Sequence, residues 1–336
     1  MNAVLQPQRR VPEWQALLTT SFSRPAELLA YLQLPPDLPS LKLAQIRDFP
    51  LRVPRGFAAR MEKGNPEDPL FKQIWPSPDE AVESPEYAVD AVGDLQKLKA
   101  GGLIHKYHGR ALVITTGACA INCRYCFRRH FPYGETRASR HRWKSLLEEL
   151  RADPTIEEVI LSGGDPLSLA DDKLAELAEG LDDIPHLKRL RLHTRQPIVL
   201  PERVDDELLE WLTSTRLQTV MVLHVNHAKE LDADVGSAMA RLKLAGVPLL
   251  NQSVLLKGIN DTLDAQKALS ERLFEFGVLP YYLHQLDRVQ GAAHYEVDDA
   301  EGKALLRQLT GHLPGYLVPR LVREVAGRPS KTWIHW

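Results

Sequence analysis

The sequence contains few cysteines, no excess of charge of either sign and no long apolar run. Its 336 residues include three cysteines, an odd number and far too few for a disulfide scaffold. The 42 basic residues nearly balance the 44 acidic ones, which argues against a general nucleic-acid binder. No apolar run approaches the roughly 20 residues that cross a bilayer, and residues 1–14 lack the apolar stretch of a secretory signal. We therefore expect a globular protein of the cytoplasm, with no membrane or nucleic-acid partner.

Apolar runs of strand length begin after residue 110 and recur along the rest of the chain. Before them the sequence is helical in character and interrupted by proline, with one helix predicted to begin at Ser23–Pro25 and to end at Pro35. The six predicted strands cover residues 111–115, 158–162, 189–193, 219–224, 249–255 and 278–283. From the second strand onward their centres lie about 30 residues apart, which is the length of a βα unit.

Helical patterns fill the intervals between these strands. They cover residues 171–181, 204–212, 234–245 and 263–276, and two of them are followed by a glycine, Gly246 and Gly277, as helices often are. Regular alternation of strand and helix predicts an α/β fold with a parallel sheet or barrel. Six strands are two short of a closed eight-stranded barrel, so we expect a partial barrel.

Every predicted strand ends in polar residues, where folds of this kind collect their chemistry. In chain order the strand ends carry Cys119, Cys123 and Cys126; Ser162 to Asp165; His193, Thr194 and Arg195; His224 and Asn226; Asn251, Gln252 and Ser253; and His284 to Asp287. These residues are the first candidates for a functional site.

The three cysteines have the spacing C-x3-C-x2-C and surround one point without secondary structure between them. Thiolates in such a cluster hold zinc or an iron-sulfur cluster. A structural zinc ion requires four ligands, and the sequence has no fourth cysteine, although His130 could complete a zinc site. Three thiolates on a four-iron cluster would instead leave one iron open for chemistry.

The cysteine spacing and the basic, aromatic stretch after it resemble the radical S-adenosylmethionine (SAM) superfamily. The run from Gly163 to Pro166 is similar to the glycine-rich strand end of that superfamily. The resemblance implies a four-iron cluster on Cys119, Cys123 and Cys126, with SAM on the open iron. The residues it implies for SAM binding are Ser162, Gly163, Gly164, Asp165, Thr194, Arg195, His224 and Gln252.

A narrower resemblance extends over most of the chain. Residues 103–110, 119–133, 161–167, 251–261, 280–293 and 315–332 resemble the lysine 2,3-aminomutase family, and most closely its bacterial branch that makes β-lysine for elongation factor P. This implies a partial (β/α)6 TIM-like radical SAM barrel over residues 106–290. A helical extension, residues 1–105, precedes it, and a short segment, residues 291–336, carries a cofactor lysine.

That lysine matches Lys331, which by the resemblance binds pyridoxal phosphate (PLP) as a Schiff base. Without the resemblance, a lysine six positions from the end of the sequence would be an ordinary surface residue. The PLP phosphate requires cationic partners. Arg110 matches one of the two arginines of the family's phosphate site, and Lys106 stands where the second one is.

The resemblance also implies a site for the substrate lysine. Arg128 matches the residue that holds the α-carboxylate, for which the alternative is an exposed charge. Asp287 and Glu324 match the two acidic residues that hold the ε-ammonium, although Glu324 replaces an aspartate of the lysine-degrading members. An ion pair with Arg320 or Arg323 is the alternative role for Glu324.

The implied reaction is the isomerisation of free L-α-lysine to β-lysine, with the amino group moving from C2 to C3. The implied partners are a flavodoxin- or ferredoxin-like electron donor and, functionally, an elongation factor P lysyl-ligase, with a homodimer as the candidate assembly. Three alternatives remain open. They are an aminomutase for glutamate or another amino acid, a radical SAM enzyme without PLP, and a zinc-stabilised binding module.

Overall fold

The computed structural model describes residues 11–38, 49–136 and 140–335. The stretch expected to lack a secretory signal therefore lies largely outside the described residues. Within its described residues, the N-terminal region contains four short helices, α1 (Glu13–Thr19), α2 (Pro25–Tyr31), α3 (Arg55–Ala59) and α4 (Pro69–Lys72). Helix α2 begins at Pro25, whose fixed φ suits a first helical turn, so the predicted helix start is confirmed.

One nine-stranded sheet forms the centre of the molecule, and its strands neighbour each other in chain order. They are β1 (Leu103–Tyr107), β2 (Arg110–Thr116), β3 (Glu158–Gly163), β4 (Arg189–Thr194), β5 (Gln218–Leu223), β6 (Leu249–Val254), β7 (Leu279–His284), β8 (Arg320–Arg323) and β9 (Thr332–Trp333). Neighbours from β2 to β8 are parallel, whereas β1 and β9 pair antiparallel at the two edges. The six predicted strands are confirmed as β2 to β7; β1, β8 and β9 were not predicted.

Helices connect the parallel strands and cover the outer face of the sheet. They are α5 (Arg140–Ala152), α6 (Asp171–Asp182), α7 (Gln196–Val199), α8 (Asp206–Ser214), α9 (Ala233–Leu244), α10 (Leu263–Glu275) and α11 (Asp299–His312). The four predicted helices are confirmed as α6, α8, α9 and α10. Gly246 and Gly277 follow α9 and α10 with φ of +79° and +76°, a conformation that glycine adopts without strain. Together these βα units form the partial barrel.

Alternate residues of strand β4 face the hydrophobic core and the cavity. Its burial alternates, and Leu190 and Leu192 pack against the surrounding helices in the main hydrophobic core. Arg191 and His193 lie on the opposite face and line the interior of the barrel. Because side chains alternate along a strand, two apolar positions fix which polar residues face inward.

The N-terminal helices pack against the segment that carries the cysteines. Ala120 and Ile121 belong to the same hydrophobic cluster as Trp14 and Phe57. The expected boundary between residues 105 and 106 falls inside β1, which pairs with β2. Among the described residues, no helix has the length and apolar character that crossing a membrane would require.

Candidate functional site

The carboxyl ends of the parallel strands surround a cavity of about 650 Å³. Every site residue to which the family resemblance gives a role lines it: Lys106, Arg110, Cys119, Cys123, Cys126, Arg128, Ser162, Gly163, Gly164, Asp165, Thr194, Arg195, His224, Gln252, Asp287, Glu324 and Lys331. Residues more than 200 positions apart in the sequence therefore share one cavity. Its size suits small molecules rather than a macromolecule.

The three cysteines lie on a loop that follows β2 and is held by the N-terminal region. The Asn122 side chain donates to the Pro50 carbonyl at 2.8 Å, and the Arg124 backbone N–H donates to the Gln73 carbonyl at 2.9 Å. Burial raises the pKa of the Cys126 thiol to about 11, and the neighbouring Cys123 adds to this. Burial also raises the pKa of Cys119, followed by the effect of Asp165. A bound cation would favour the thiolate form of these two thiols.

The zinc alternative does not fit this loop. Across residues 11–38, 49–136 and 140–335, no three His, Cys, Asp or Glu side chains lie close enough to hold one metal ion. Each thiolate of a four-iron cluster binds a different iron, so the cluster does not require the thiols to converge on one atom. His130 is exposed, and its Nε2 lies 3.1 Å from the Gln290 carbonyl oxygen.

Gly163 and Gly164 bring the end of β3 directly against the cysteine loop. A Cβ at Gly163 would lie 2.5 Å from the Thr116 carbonyl oxygen, and one at Gly164 would lie 2.5 Å from that of Ala118. Gly163 also has φ of +126°, which other residues rarely adopt. The backbone N–H of Gly164 donates to Thr116 at 2.7 Å, and that of Asp165 donates to Ala118 at 2.8 Å. The glycines therefore allow two backbone segments to pair.

Both oxygens of the Asp165 carboxylate accept hydrogen bonds from other groups of the protein. It accepts hydrogen bonds from Thr194 Oγ1 at 2.6 Å, from the backbone N–H of Arg195 at 2.7 Å, and from those of Leu167 and Gln196. Its contribution is to fix the end of β4 beside the cysteine loop. Ser162 has a comparable position, because its hydroxyl accepts from Arg128 Nη1 at 3.0 Å.

Three histidines line the cavity at the ends of β4, β5 and β7; His284 is buried, and His193 and His224 are half-buried. Gln252 Nε2 lies 2.9 Å from His224 Nε2 and 3.4 Å from His193 Nδ1. Burial lowers the pKa of His224 to about 3, followed by Arg195, and burial also lowers the pKa of His193 and His284. All three rings are therefore neutral at physiological pH. His193 and His284 were among the polar strand-end candidates of the sequence, but no particular role was predicted for either.

Asp94 is a central residue of the site that the sequence did not indicate. Its carboxylate accepts from Arg128 Nε at 2.8 Å and forms an ion pair with Lys106 Nζ. Lys106 also donates to the Val92 carbonyl at 2.7 Å. Both cations are thus already bound, and Arg128, at 7% exposure, is not the exposed charge of the alternative reading. The nearby cations hold the pKa of Asp94 below its usual value despite burial, which by itself would raise it.

Glu324 is paired with the Lys331 ammonium, and Asp287 lies within its electrostatic influence on another element of the C-terminal half. Lys331 Nζ donates to Glu324 Oε2 at 2.9 Å, and the Tyr107 hydroxyl donates to Glu324 Oε1. Asp287 Oδ1 is buried and has no hydrogen-bond partner among the described residues. Burial raises the pKa of Asp287 to about 7, with Lys331 opposing and Glu324 adding to the shift.

The alternative ion pairs of Glu324 do not form. Arg323 pairs with Asp299 at 2.7 Å, and the Arg320 guanidinium lies over the Trp333 ring at 4.8 Å. Arg110 stacks on the Tyr107 ring at 4.8 Å and has no hydrogen-bonding partner in the described part of the chain. It is therefore a cavity cation that remains available for an anion.

Comparison with known proteins identifies the family. Residues 113–264 match the model of the Radical SAM superfamily. The chain is 47% identical over 324 residues to the L-lysine 2,3-aminomutase of Haemophilus influenzae, covering 96% of each chain. The chain belongs to the L-lysine 2,3-aminomutase family. It is also 48% identical over 321 residues to the Escherichia coli member, covering 95% of this chain and 94% of that one. The Clostridium subterminale member is 31% identical over 324 residues, covering 95% of this chain and 77% of that one.

Membership of the L-lysine 2,3-aminomutase family implies a four-iron cluster, SAM and PLP. The donor set fits the cluster, because the only three cysteines of the sequence line one end of the cavity. Lys331 and Arg110 fit PLP, since one offers an amine and the other a guanidinium without a hydrogen-bonding partner among the described residues. The unpartnered nitrogens His193 Nε2 and His284 Nε2 are buried polar atoms for which a bound molecule would supply partners.

Proposed function

We propose that this chain converts L-α-lysine into β-lysine by moving the amino group from C2 to C3. The observation that carries the proposal is the distribution of charge in the cavity. Arg128 offers a guanidinium beside the cysteine loop, whereas Asp287 and Glu324 offer carboxylates beside Lys331. A lysine molecule has the complementary pattern, with a carboxylate at one end and an ammonium at the other.

Arg128 binds the α-carboxylate of the substrate in this proposal. Its Nε is held by Asp94 and its Nη1 by Ser162, so the guanidinium is oriented before the substrate arrives. A carboxylate approaching it would meet a planar donor that needs little rearrangement. This preorganisation fixes the position of C2 relative to the cysteine loop.

Asp287 and Glu324 bind the ε-ammonium. The ion pair between Glu324 and Lys331 supports this role, because it already places an ammonium 2.9 Å from the carboxylate. PLP bound at Lys331 would engage this amine, and the substrate ammonium would then pair with Glu324 in its place. The unpartnered Oδ1 of Asp287 supplies a second acceptor. Glutamate would bring a third carboxylate to this end of the cavity, which disfavours a glutamate aminomutase.

The remaining residues divide among the cofactors. Cys119, Cys123 and Cys126 hold the cluster, Lys331 holds PLP, and Arg110 binds its phosphate, with Lys106 contributing charge nearby. Ser162, Gly163, Gly164, Thr194, His224 and Gln252 line the space for SAM, and Asp165 fixes the strand ends around it. Cluster, SAM and PLP together supply one-electron chemistry at C3 and a carbonyl that carries the migrating nitrogen. The protein orients these groups and excludes water from them.

The wider setting is also proposed. The product would serve a ligase that attaches β-lysine to elongation factor P, and the electron would come from a flavodoxin- or ferredoxin-like donor. The extensive likeness to the bacterial β-lysine branch supports this assignment, as do the local matches around the cysteines and Lys331. We place the enzyme in the cytoplasm, where thiols stay reduced, with a homodimer as its assembly.

The test is product formation by the reconstituted protein. The protein is incubated anaerobically with SAM, a reductant and L-lysine, and the mixture is analysed by mass spectrometry. We expect β-lysine together with 5′-deoxyadenosine, and no β-lysine from an Asp287→Asn variant at the same lysine concentration. Parallel reactions with L-glutamate test the alternative substrate. A β-amino acid formed from glutamate but not from lysine would contradict the proposal, and so would purified protein containing zinc and no iron.

A further inference from the structure

Arg195 joins the cysteine loop to a buried carboxylate. Its Nη1 lies 2.7 Å from Cys123 Sγ, and its Nη2 donates to Glu230 Oε2 at 2.8 Å and to Gln73 Oε1 at 2.7 Å. We propose that Arg195 and Glu230 set the reduction potential of the cluster, acting in opposite directions. This inference rests on the proposed ligation of the cluster by Cys123.

The guanidinium is held firmly beside the sulfur. The Arg195 backbone N–H donates to Asp165 Oδ2 at 2.7 Å, which fixes the start of the side chain. Glu230 has no exposed surface, and its Oε1 accepts from Gln73 Nε2 at 3.1 Å and from the backbone N–H of Asn226 at 2.9 Å. Both members of the pair are therefore anchored from elements outside the cysteine loop.

One donor of Arg195 remains unused. Its Nε is buried and has no hydrogen-bond partner among the described residues. Guanidinium groups have five donors, and buried donors in folded proteins almost always have acceptors. The thiolate and sulfide sulfurs of a cluster bound at Cys123 would be acceptors at this position. The unpartnered Nε is an observation independent of the contact to Cys123 Sγ.

Charge determines the direction of each effect. Reduction adds one electron, supplied by the external reductant, and makes the cluster more negative. A buried guanidinium hydrogen-bonded to a ligand sulfur stabilises the reduced form, whereas a buried carboxylate disfavours it. Arg195 therefore raises the potential, and Glu230 lowers it while also orienting Arg195.

The closing experiment compares Arg195→Gln, Arg195→Lys and Glu230→Gln with the unaltered protein. Each is reconstituted, assayed for iron and sulfide, and titrated by electron paramagnetic resonance without SAM. At a fixed potential we expect the ratio of reduced to oxidised cluster to fall about tenfold in Arg195→Gln and to rise in Glu230→Gln. Tenfold corresponds to about 59 mV for a one-electron couple. Arg195→Lys, which keeps the charge, should lie between Arg195→Gln and the unaltered protein.

Arg203→Lys is the matched control, because Arg203 is equally buried and pairs with Asp171 at 2.7 Å outside the cavity lining. It should lose stability and keep its reduction potential.

Unchanged reduction potentials in variants that contain the cluster would overturn the inference and leave the proposed function intact. An effect of Arg195 seen only when SAM is present would also overturn it, since that result assigns Arg195 to SAM. If the Arg195 variants fail to hold a cluster, the reduction potential of Glu230→Gln decides. A higher potential than in the unaltered protein supports the inference, and a lower one overturns it. An unaltered protein without iron would instead contradict the proposed ligation itself.

Discussion

Asp94 Oδ2 accepts a hydrogen bond from Arg128 Nε at 2.8 Å, and both side chains are buried. The same carboxylate pairs with Lys106, so one negative charge compensates two cations at the wall of the cavity. Removing the charge of Asp94 leaves the buried Arg128 guanidinium without a compensating carboxylate. Asp94 is thus a positioning residue that acts through Arg128.

Asp94→Asn should lower the free energy of unfolding by about 3 kcal/mol, because it leaves the buried Arg128 without a carboxylate partner, whereas Lys106 keeps Glu324 at 3.6 Å. It should also raise KM for lysine more than it lowers kcat, since the guanidinium loses its fixed orientation. Denaturant unfolding and steady-state kinetics measure the two effects. Asp206→Asn is the control, because Asp206 is 97% exposed in its pair with Arg241 and such pairs contribute little. Equal stabilities for the two variants would refute the role of Asp94.

Lysine affinity should depend on the ionisation of Asp287. Burial raises the pKa of Asp287 to about 7 in the free protein, so below pH 7 the group is neutral and cannot pair with the substrate ammonium. Affinity should therefore fall up to about tenfold for each pH unit below 7 and level off above pH 8. Calorimetric titration between pH 6 and 8.5 measures this. Asp287→Asn should bind lysine weakly, and its affinity should not fall below pH 7 in this way. If the pH dependence persists in this variant, another titrating group causes it.

The raised pKa of Asp287 has the opposite effect on the stability of the fold, which it lowers as pH rises. Because the pKa of Asp287 is higher in the folded protein than in the unfolded chain, this group stabilises the free fold at acidic pH. Its contribution is lost as pH rises through about 7. Asp287→Asn should consequently be more stable than the unaltered protein at pH 8 when lysine is absent. Thermal unfolding of both proteins at pH 5 and pH 8 measures the difference in stability. An equal change in Tm on substitution at both pH values would contradict the prediction.

Gly164→Ala should disrupt the cysteine loop. Its new Cβ would lie 2.5 Å from the Ala118 carbonyl oxygen, so one of two paired backbone segments must move. We expect a loss of about 2 kcal/mol or more in the free energy of unfolding and a lower iron content after reconstitution. Gly311→Ala is the matched control, because a Cβ there meets no atom within 4 Å and alanine favours helix α11. Normal iron content in Gly164→Ala would show that the close packing is dispensable.

Lys331→Ala should abolish covalent PLP attachment, because the other amine near Glu324, that of Lys106 at 3.6 Å, is held by Asp94 and the Val92 carbonyl. Borohydride reduction followed by mass spectrometry measures the attachment directly. Lys173→Ala, on the exposed face of α6, should retain it. PLP attached at a different lysine in the unaltered protein would contradict the assignment.

The parallel strands were predictable because their apolar residues pack under the covering helices and recur at the βα spacing. In strand β4 the apolar residues are Leu190 and Leu192. Once the strands were located, the polar residues at their carboxyl ends could be predicted as well. Strand β9 has two exposed residues and therefore no apolar signal. Strand β1 forms a hairpin with β2 through Gly109, whose φ is +75°, and the glycine after His108 was a usable turn signal.

Within the site, sequence motifs indicated residues that are close together along the chain. Asp94 could not be found in this way, because it lies 34 residues before Arg128 in a loop without regular structure. Glu230 is similar, since a lone glutamate in a short helical turn gives no sign that it will be completely buried. Long-range ion pairs depend on the packed fold rather than on local sequence.

The backbone pairing of Thr116 with Gly164 and of Ala118 with Asp165 ties the cysteine loop to β3 by ordinary main-chain hydrogen bonds. The conformational entropy of that loop is therefore largely lost during folding of the polypeptide, before any iron binds. A zinc finger, by contrast, orders its ligands only as the metal enters. Iron-free protein should consequently show slow amide exchange at Gly164 and Asp165. Cluster assembly would then take place on a loop whose start is already fixed against β3.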